Sequence, residues 1–336
     1  MIARATRRFT VAVWIALAQG AGATTLTYLP TEHATNHAPT IIVLQNGQVL
    51  GCWYSGRHEA DRDVAIMCAE GSADGANWTA PWVAVPAHFA TSAKSLGNPV
   101  LTRDRHGRLI LIFGWIRSRR VLGVETCRSW QCGRIDASVS LDDGHTWTTP
   151  AHLDARAGAL PRAQPLSRGD VDLIPVYREG RGASVLATDL DAFGPAGPGD
   201  VRIDTIPGRQ LMQPALAVAS DGTLWAYLRD GRRRSIYVSH YDRARRAWIP
   251  AVPTNLENPS SAVEAFLDRR GAIVLIYNPS RSDRRALALA RSEDGMRFVR
   301  GCDLIAADEA GPVAYPAIAE PTPGHWVVLA SAFDKH

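Results

Sequence analysis

Beyond its first two dozen residues the sequence has no apolar run that reaches the roughly 20 residues a membrane helix needs. It has no C-x-x-C pair of the kind that grips zinc, no glycine-rich phosphate loop and no visible Ser-His-Asp set. Metal, nucleotide and triad chemistry therefore have no local signature, and no cofactor is expected. No low-complexity linker divides the chain; the Gly/Pro stretch from Phe193 to Asp200 is short and reads as a long turn. Cysteine is sparse and odd in number, with 5 in all. Cys52 and Cys68 flank a hairpin that should set them opposite each other on neighbouring strands, Cys127 and Cys132 share one loop, and Cys302 is left over.

What is present at the start sets the compartment. Arg4, Arg7 and Arg8 precede an apolar run from Phe9 to Ala18, and Ala21-Gly22-Ala23 follows. That is the layout of a secretory signal peptide, residues 1–23, removed on export. Export permits disulfides and predicts a secreted or periplasmic protein with no membrane span in its mature chain. Without the leader's three arginines the 37 basic residues fall to 34, against 33 acidic ones. A near-neutral chain does not suit nucleic acid, which demands a net basic face. The basic runs Arg232-Arg233-Arg234 and Arg243 to Arg246 read as solvated strand ends and turns.

The mature part, 24–336, is repetitive. An X-Pro step, an apolar strand, a Gly turn and a second strand recur six times, beginning at Ala38-Pro39, Asn98-Pro99, Gln164-Pro165, Gln213-Pro214, Asn258-Pro259 and Tyr315-Pro316. The spacing of roughly 45 to 65 residues suits propeller blades. Proline donates no N–H and is tolerated at the first residue of a strand, while Asn-Gly, His-Gly and Asp-Gly supply the tight turns. These features predict an all-β, six-bladed β-propeller in one domain, closed by the strand-like segment TTLTYLP from Thr24.

A second motif follows the third strand of several repeats. Ser140 to Trp147 reads S-x-D-x-G-x-x-W; Ser72 to Trp78 and Ser292 to Phe298 are copies one residue shorter, and Ser239 to Trp248 is a worn fourth. Aspartate accepts backbone N–H groups inside such a turn and glycine supplies positive φ. The aromatic residue is expected to lie buried beneath the turn. These motifs resemble the Asp-box, or BNR, repeats of sialidases, and over nearly the whole mature chain the sequence looks closest to the bacterial BNR-repeat branch of predicted neuraminidases. The Asp-box is a structural device, so it speaks to fold more than to function.

Candidate site residues come from the strand ends that should ring the funnel: His37, Asn98, Gln164, Gln213, Asn258 and Tyr315 beside the prolines, and Glu59, Trp115, Glu179, Arg229 and Asn278 past the second strands. The resemblance to sialidases implies specific roles. Three arginines grip a sugar carboxylate, a tyrosine activated by a glutamate attacks the anomeric carbon, and an aspartate is the acid/base. Arg229 matches the second arginine, Arg284 or Arg285 the third, and Tyr315 the nucleophile. His37 stands where the first arginine belongs, and Gln213 where the glutamate belongs. Asp63 matches the acid/base, with Glu59 a rival. Glu59 or Asp63 facing Glu179 offers an alternative carboxylate pair. The expected partner is a glycan, with an acidic sugar such as sialic acid, acted on by a monomeric glycoside hydrolase. Two alternatives stand beside it: a carbohydrate-binding propeller without turnover, and a polysaccharide lyase with His37 or Tyr315 as base and Arg229 neutralising a uronate.

Overall fold

A computed structural model describes residues 15–18, 26–31 and 33–332, apart from 119, 122–123, 126, 128, 155, 233 and 310. The chain is laid out as antiparallel sheets. Blade 1 runs outward through Thr35–Val43, Val49–Gly56, Ala65–Gly71 and Trp82–Val85. Blade 2 holds Ala93–Arg103, Leu109–Arg117, Gly133–Ser140 and Ala151–Asp154. Blade 3 has an interrupted inner strand, Ala159–Pro161 and Leu166–Arg168, followed by Val171–Arg178, Gly182–Thr188 and Arg202–Ile206. In blade 4, Leu211–Val218, Leu224–Asp230 and Ser235–Asp242 carry two short outer strands, Ala247–Trp248 and Val252–Glu257. Blade 5 comprises Glu264–Leu267, Ile273–Tyr277, Leu287–Ser292 and Val299–Ile305.

The fold is an all-β propeller, but with five full blades rather than the expected six. The sixth repeat supplies a single hairpin, Val313–Thr322 and His325–Ala332, which touches both blade 1 and blade 5. Its third strand is Ile15–Ala18, paired antiparallel with His325–Ala332. The closing strand is thus not the segment from Thr24: Leu26–Pro30 has no regular structure, although Leu29 is buried in the interface between this sheet and blade 1. The strand Ile15–Ala18 falls within the expected signal peptide, residues 1–23, so cleavage there would remove it from the sheet; the rest of that segment lies outside the described residues.

The core is distributed between blades. One apolar cluster fills the contact between blades 1 and 2, another that between 2 and 3, and others follow round to the closing sheet. Central strands are therefore buried on both faces, which is why Leu109–Arg117 reads as a continuous apolar run instead of alternating. Cys52 and Cys68 face each other in register on blade 1 and are disulfide-bonded, with Cα atoms 4.1 Å apart.

Three Asp-box turns share one hydrogen-bond pattern. The serine hydroxyl donates to the aspartate in each, from Ser72 to Asp74, Ser140 to Asp142 and Ser292 to Asp294, and each aspartate accepts backbone N–H groups. Asp242 plays the same part in the worn copy. Phe298 is buried as expected; Trp78 and Trp147 are only half-buried. Trp78 lies across Gly71, where a Cβ would come within 2.3 Å of the ring.

The X-Pro steps differ from expectation in an instructive way. Four of the six do not open the inner strands but interrupt them, while Gln164-Pro165 and Asn258-Pro259 lie ahead of Leu166–Arg168 and Glu264–Leu267. The register shifts between His37 and Thr40, Gly97 and Val100, Met212 and Ala215, and Ala314 and Ala317. At each bulge the residue before proline takes positive φ: Ala38 at 50°, Asn98 at 48°, Gln213 at 51° and Tyr315 at 60°. Proline cannot donate to the ladder, so the ladder skips it, and the bulge re-aims the neighbouring side chain. Backbone outliers of this kind persist where surrounding structure over-determines them.

Candidate functional site

The bulges aim their side chains at one place. Tyr315, half-buried on the closing sheet, is its centre. The His37 ring of blade 1 meets it edge-on, with centroids 4.3 Å apart. The Arg162 guanidinium carbon of blade 3 lies 5.1 Å from the Tyr315 centroid, and that of Arg284, beyond the second strand of blade 5, lies 5.8 Å away. From blade 4, Arg229 Nη1 donates to the Tyr315 hydroxyl at 3.4 Å and to Gln213 Oε1 at 2.9 Å. Gln213 Nε2 donates at 3.3 Å to the Tyr177 hydroxyl, which also accepts from Asn98 Nδ2 at 3.1 Å. Every blade and the closing sheet contribute to this ring.

Its electrostatics follow from burial beside positive charge. His37 is driven down to about 3 by burial first, then by Arg162, Arg284 and Arg229, so its imidazole is neutral. Burial also pulls the Arg162 guanidinium below its ordinary value, against the opposing pull of Glu264. Glu264, at the start of the inner strand of blade 5, is raised to about 7 by burial, with Arg162 acting the other way. Burial raises Tyr177, and the charges of Tyr315 and Glu179 add to that. Tyr54, whose ring centroid lies 5.4 Å from that of His37, is held well above its ordinary value by burial and then by the Glu59 carboxylate. Among the described residues the buried Nε atoms of both Arg162 and Arg229 have no hydrogen-bond partner, an expensive condition for a donor unless something else meets it.

The structure thus gathers His37, Asn98, Gln213, Arg229, Arg284 and Tyr315. Glu59 joins at the exposed rim through Tyr54, and Glu179 lies half-buried just past Tyr177. Three candidates are differently employed. Asp63 accepts Arg57 Nε at 2.6 Å; burial pushes its carboxyl up, but the hydrogen bonds and charge of Arg57 outweigh this and hold it below the usual range. An aspartate kept ionised by an arginine is a poor proton donor at neutral pH. Asn278 is fully buried and donates to the Ala286 and Val313 carbonyls, tying blade 5 to the closing sheet. Asn258 is equally buried and accepts the Ser261 N–H at 2.7 Å. The hydrogen bonds seen for both asparagines lie within the fold.

Sequence reasoning missed Arg162, Glu264 and Tyr54. The available signal was the shortness of the third repeat: Arg162 lies two residues before Gln164, where the inner strand breaks. Gln164 itself donates to the Ile41 carbonyl, bracing blade 1 against blade 3. Among the described residues no group of three or more His, Cys, Asp or Glu side chains could hold a metal.

Three guanidinium groups thus surround one tyrosine where the five blades and the closing sheet meet. The chain belongs to the sialidase-like BNR repeat family: the model of the BNR repeat-like domain matches residues 47–325. No curated protein matches the sequence. The fold is similar to that of a leech intramolecular trans-sialidase solved with 2,7-anhydro-Neu5Ac, at 12% identity and a TM-score of 0.71, over 90% of this chain and 66% of that one. The chain therefore spans just under two thirds of the leech protein. An intramolecular trans-sialidase from Ruminococcus gnavus, bound to oseltamivir carboxylate, gives 12% identity and a TM-score of 0.71 over 90% and 91% of the two chains. A Dyadobacter fermentans protein of unknown function gives 12% and 0.68 over 89% and 95%.

Proposed function

We propose that this protein is an exported glycoside hydrolase of the sialidase superfamily that takes a glycan ending in a carboxylate-bearing sugar. The observation that carries the reading is the convergence of Arg162, Arg229 and Arg284 on Tyr315, with the buried Nε donors of Arg162 and Arg229 unpartnered among the described residues. Guanidinium forks match a carboxylate bidentately. Arg162 takes the place of the arginine that His37 displaces. With the carboxylate gripped there, Tyr315 oxygen attacks the anomeric carbon, its phenolic proton passing to solvent, and protonated Glu59 gives its proton to the departing sugar. Water then displaces the tyrosine, with Glu59 accepting the proton. Glu59 suits this role better than Asp63, which Arg57 occupies. The two disulfides support an oxidising compartment, and among the described residues no helix is long and apolar enough to cross a membrane.

One observation favours a second reading, glycan binding without turnover. Gln213 contacts Arg229 where a glutamate would serve as base, and an amide cannot take the proton of Tyr315. A reducing-end assay against sialosides, uronate-containing polysaccharides and neutral glycans separates the readings. Release from acidic glycans, abolished by Tyr315→Phe, is the expected result. Binding of those glycans without release establishes the second reading. Turnover of neutral glycans alone overturns both, and an unsaturated, ultraviolet-absorbing product points to elimination.

A further inference from the structure

A cavity of about 180 Å³ lies between blades 3 and 4. Val171, Leu173 and Leu224 line it from the near ends of strands Val171–Arg178 and Leu224–Asp230, whose far ends carry Tyr177 and Arg229. Leu224 and Arg229 are about 16 Å apart at the rise of a strand, so the cavity belongs to the face away from the arginine cluster. Two irregular elements meet there. The inner strand of blade 3 is broken before Leu166–Arg168, and the worn Asp-box turn of blade 4 ends at Trp248. The walls are apolar: Leu173, Val185, Leu224 and Trp248 are buried members of the cluster between these blades. The Tyr241 ring meets that of Trp248 edge-on at 5.7 Å.

Protein interiors hold few voids larger than a water molecule, and an apolar void accepts an apolar ligand. The unspent polar groups around this one can all donate. Trp248 Nε1 is sealed from solvent and has no hydrogen-bond partner among the described residues. Half-buried Arg168 and the Tyr241 hydroxyl likewise have no ion-pair or hydrogen-bond partner among them. Asp204, the single carboxylate among the described residues lining the cavity, is held by Arg202 at 2.9 Å. A site rich in donors, with its one carboxylate spent, selects a ligand that brings acceptors, and a guanidinium fork matches a carboxylate. The volume is under the roughly 300 Å³ of drug-sized sites, which limits the apolar part to about one ring.

We infer that this cavity is a second ligand site, taking a small aromatic carboxylate with its ring among Leu173, Val185, Leu224 and Trp248 and its carboxylate on Arg168. The Tyr241 hydroxyl and Trp248 Nε1 stand as further donors to the same anion. The site is independent of what the arginine cluster binds.

Calorimetric titration of the full chain with phenylacetate tests this. Acetate, which has the charge without the ring, and 2-phenylethanol, which has the ring without the charge, are the controls. Phenylacetate should bind in the millimolar range or tighter, about tenfold better than either control. Arg168→Gln should bring it down to the level of the alcohol. Leu224→Phe fills the cavity and should abolish binding of both aromatic probes; if that variant does not fold, Arg168→Gln decides. Arg229→Ala should leave phenylacetate affinity unchanged, which separates this cavity from the arginine cluster. Equal binding of the acid and the alcohol overturns the assignment to anions. Absence of phenylacetate binding up to about 10 mM overturns the site, as does binding that Arg229→Ala removes and Arg168→Gln leaves intact.

Discussion

The imidazole of His37 meets the ring of Tyr315 edge-on at 4.3 Å, with an interplanar angle of 70°. A neutral ring is required in that position, because protonating it would set a fourth cation beside Arg162, Arg284 and Arg229. Its pKa falls from 6.5 in the unfolded chain to about 3 in the fold. The depressed value means that the contribution to stability is complete above about pH 6.5 and is lost as pH falls toward 3. Its full extent is on the order of 5 kcal/mol. His37→Gln should flatten this acid limb. Urea midpoints between pH 3 and pH 7 measure it, and parallel pH profiles of the two proteins would count against a neutral buried His37.

Glu264 has the opposite sign. Its pKa rises from 4.5 to about 7, so its contribution is complete below pH 4.5 and declines as pH climbs through 7. Glu264→Gln should therefore gain on wild type with rising pH, by about 3 kcal/mol between pH 4.5 and pH 8. Thermal melts across that range provide the check; a constant difference between the proteins would place Glu264 ionised throughout.

On the proposed hydrolase reading, Gln213 limits the rate. With Arg229 donating to both Gln213 and Tyr315, a carboxylate at position 213 would stand within reach of the same hydrogen-bond network. Gln213→Glu should raise kcat about a hundredfold, the scale of a general base restored to its place. Steady-state rates on whichever acidic glycan the wild type turns over or binds make the measurement. No gain would argue that Tyr315 is not the nucleophile.

The Cys52–Cys68 bridge spans 16 residues and lies within the core between blades 1 and 2. Replacing both cysteines by alanine should cost about 3 kcal/mol through the freed chain entropy of the unfolded state. Chemical denaturation of the double variant tests this, and an unchanged midpoint contradicts it.

The propeller was legible because its punctuation is local. Each proline, each turn glycine and each Asp-box aspartate has a conformational job that its own neighbours reveal. Closure of the ring was not. The choice between Ile15–Ala18 and the segment from Thr24 depends on which strand fits against His325–Ala332, a contact across the whole chain. The same division runs through the site. His37, Arg229 and Tyr315 flank prolines or end strands, so the repeat located them. Arg162 sits where an inner strand breaks, and Glu264 five residues past its proline, so the repeat concealed both. Asp63 matched by position, but the side chain of Arg57 six residues earlier, invisible to spacing arguments, claims its carboxylate.

The four left-handed residues ahead of proline uncouple what a blade is made of from what it displays. Because the ladder bypasses Ala38, Asn98, Gln213 and Tyr315 and resumes beyond them, the sheet does not register which side chain stands there. Each such position behaves as a socket: histidine can replace arginine beside it, or glutamine replace glutamate within it, while strand pairing and inter-blade packing stay the same. A ring of sockets on an indifferent frame would let chemistry be exchanged one blade at a time, with His37 and Gln213 standing beside and within two of the four positions where the ladder is bypassed.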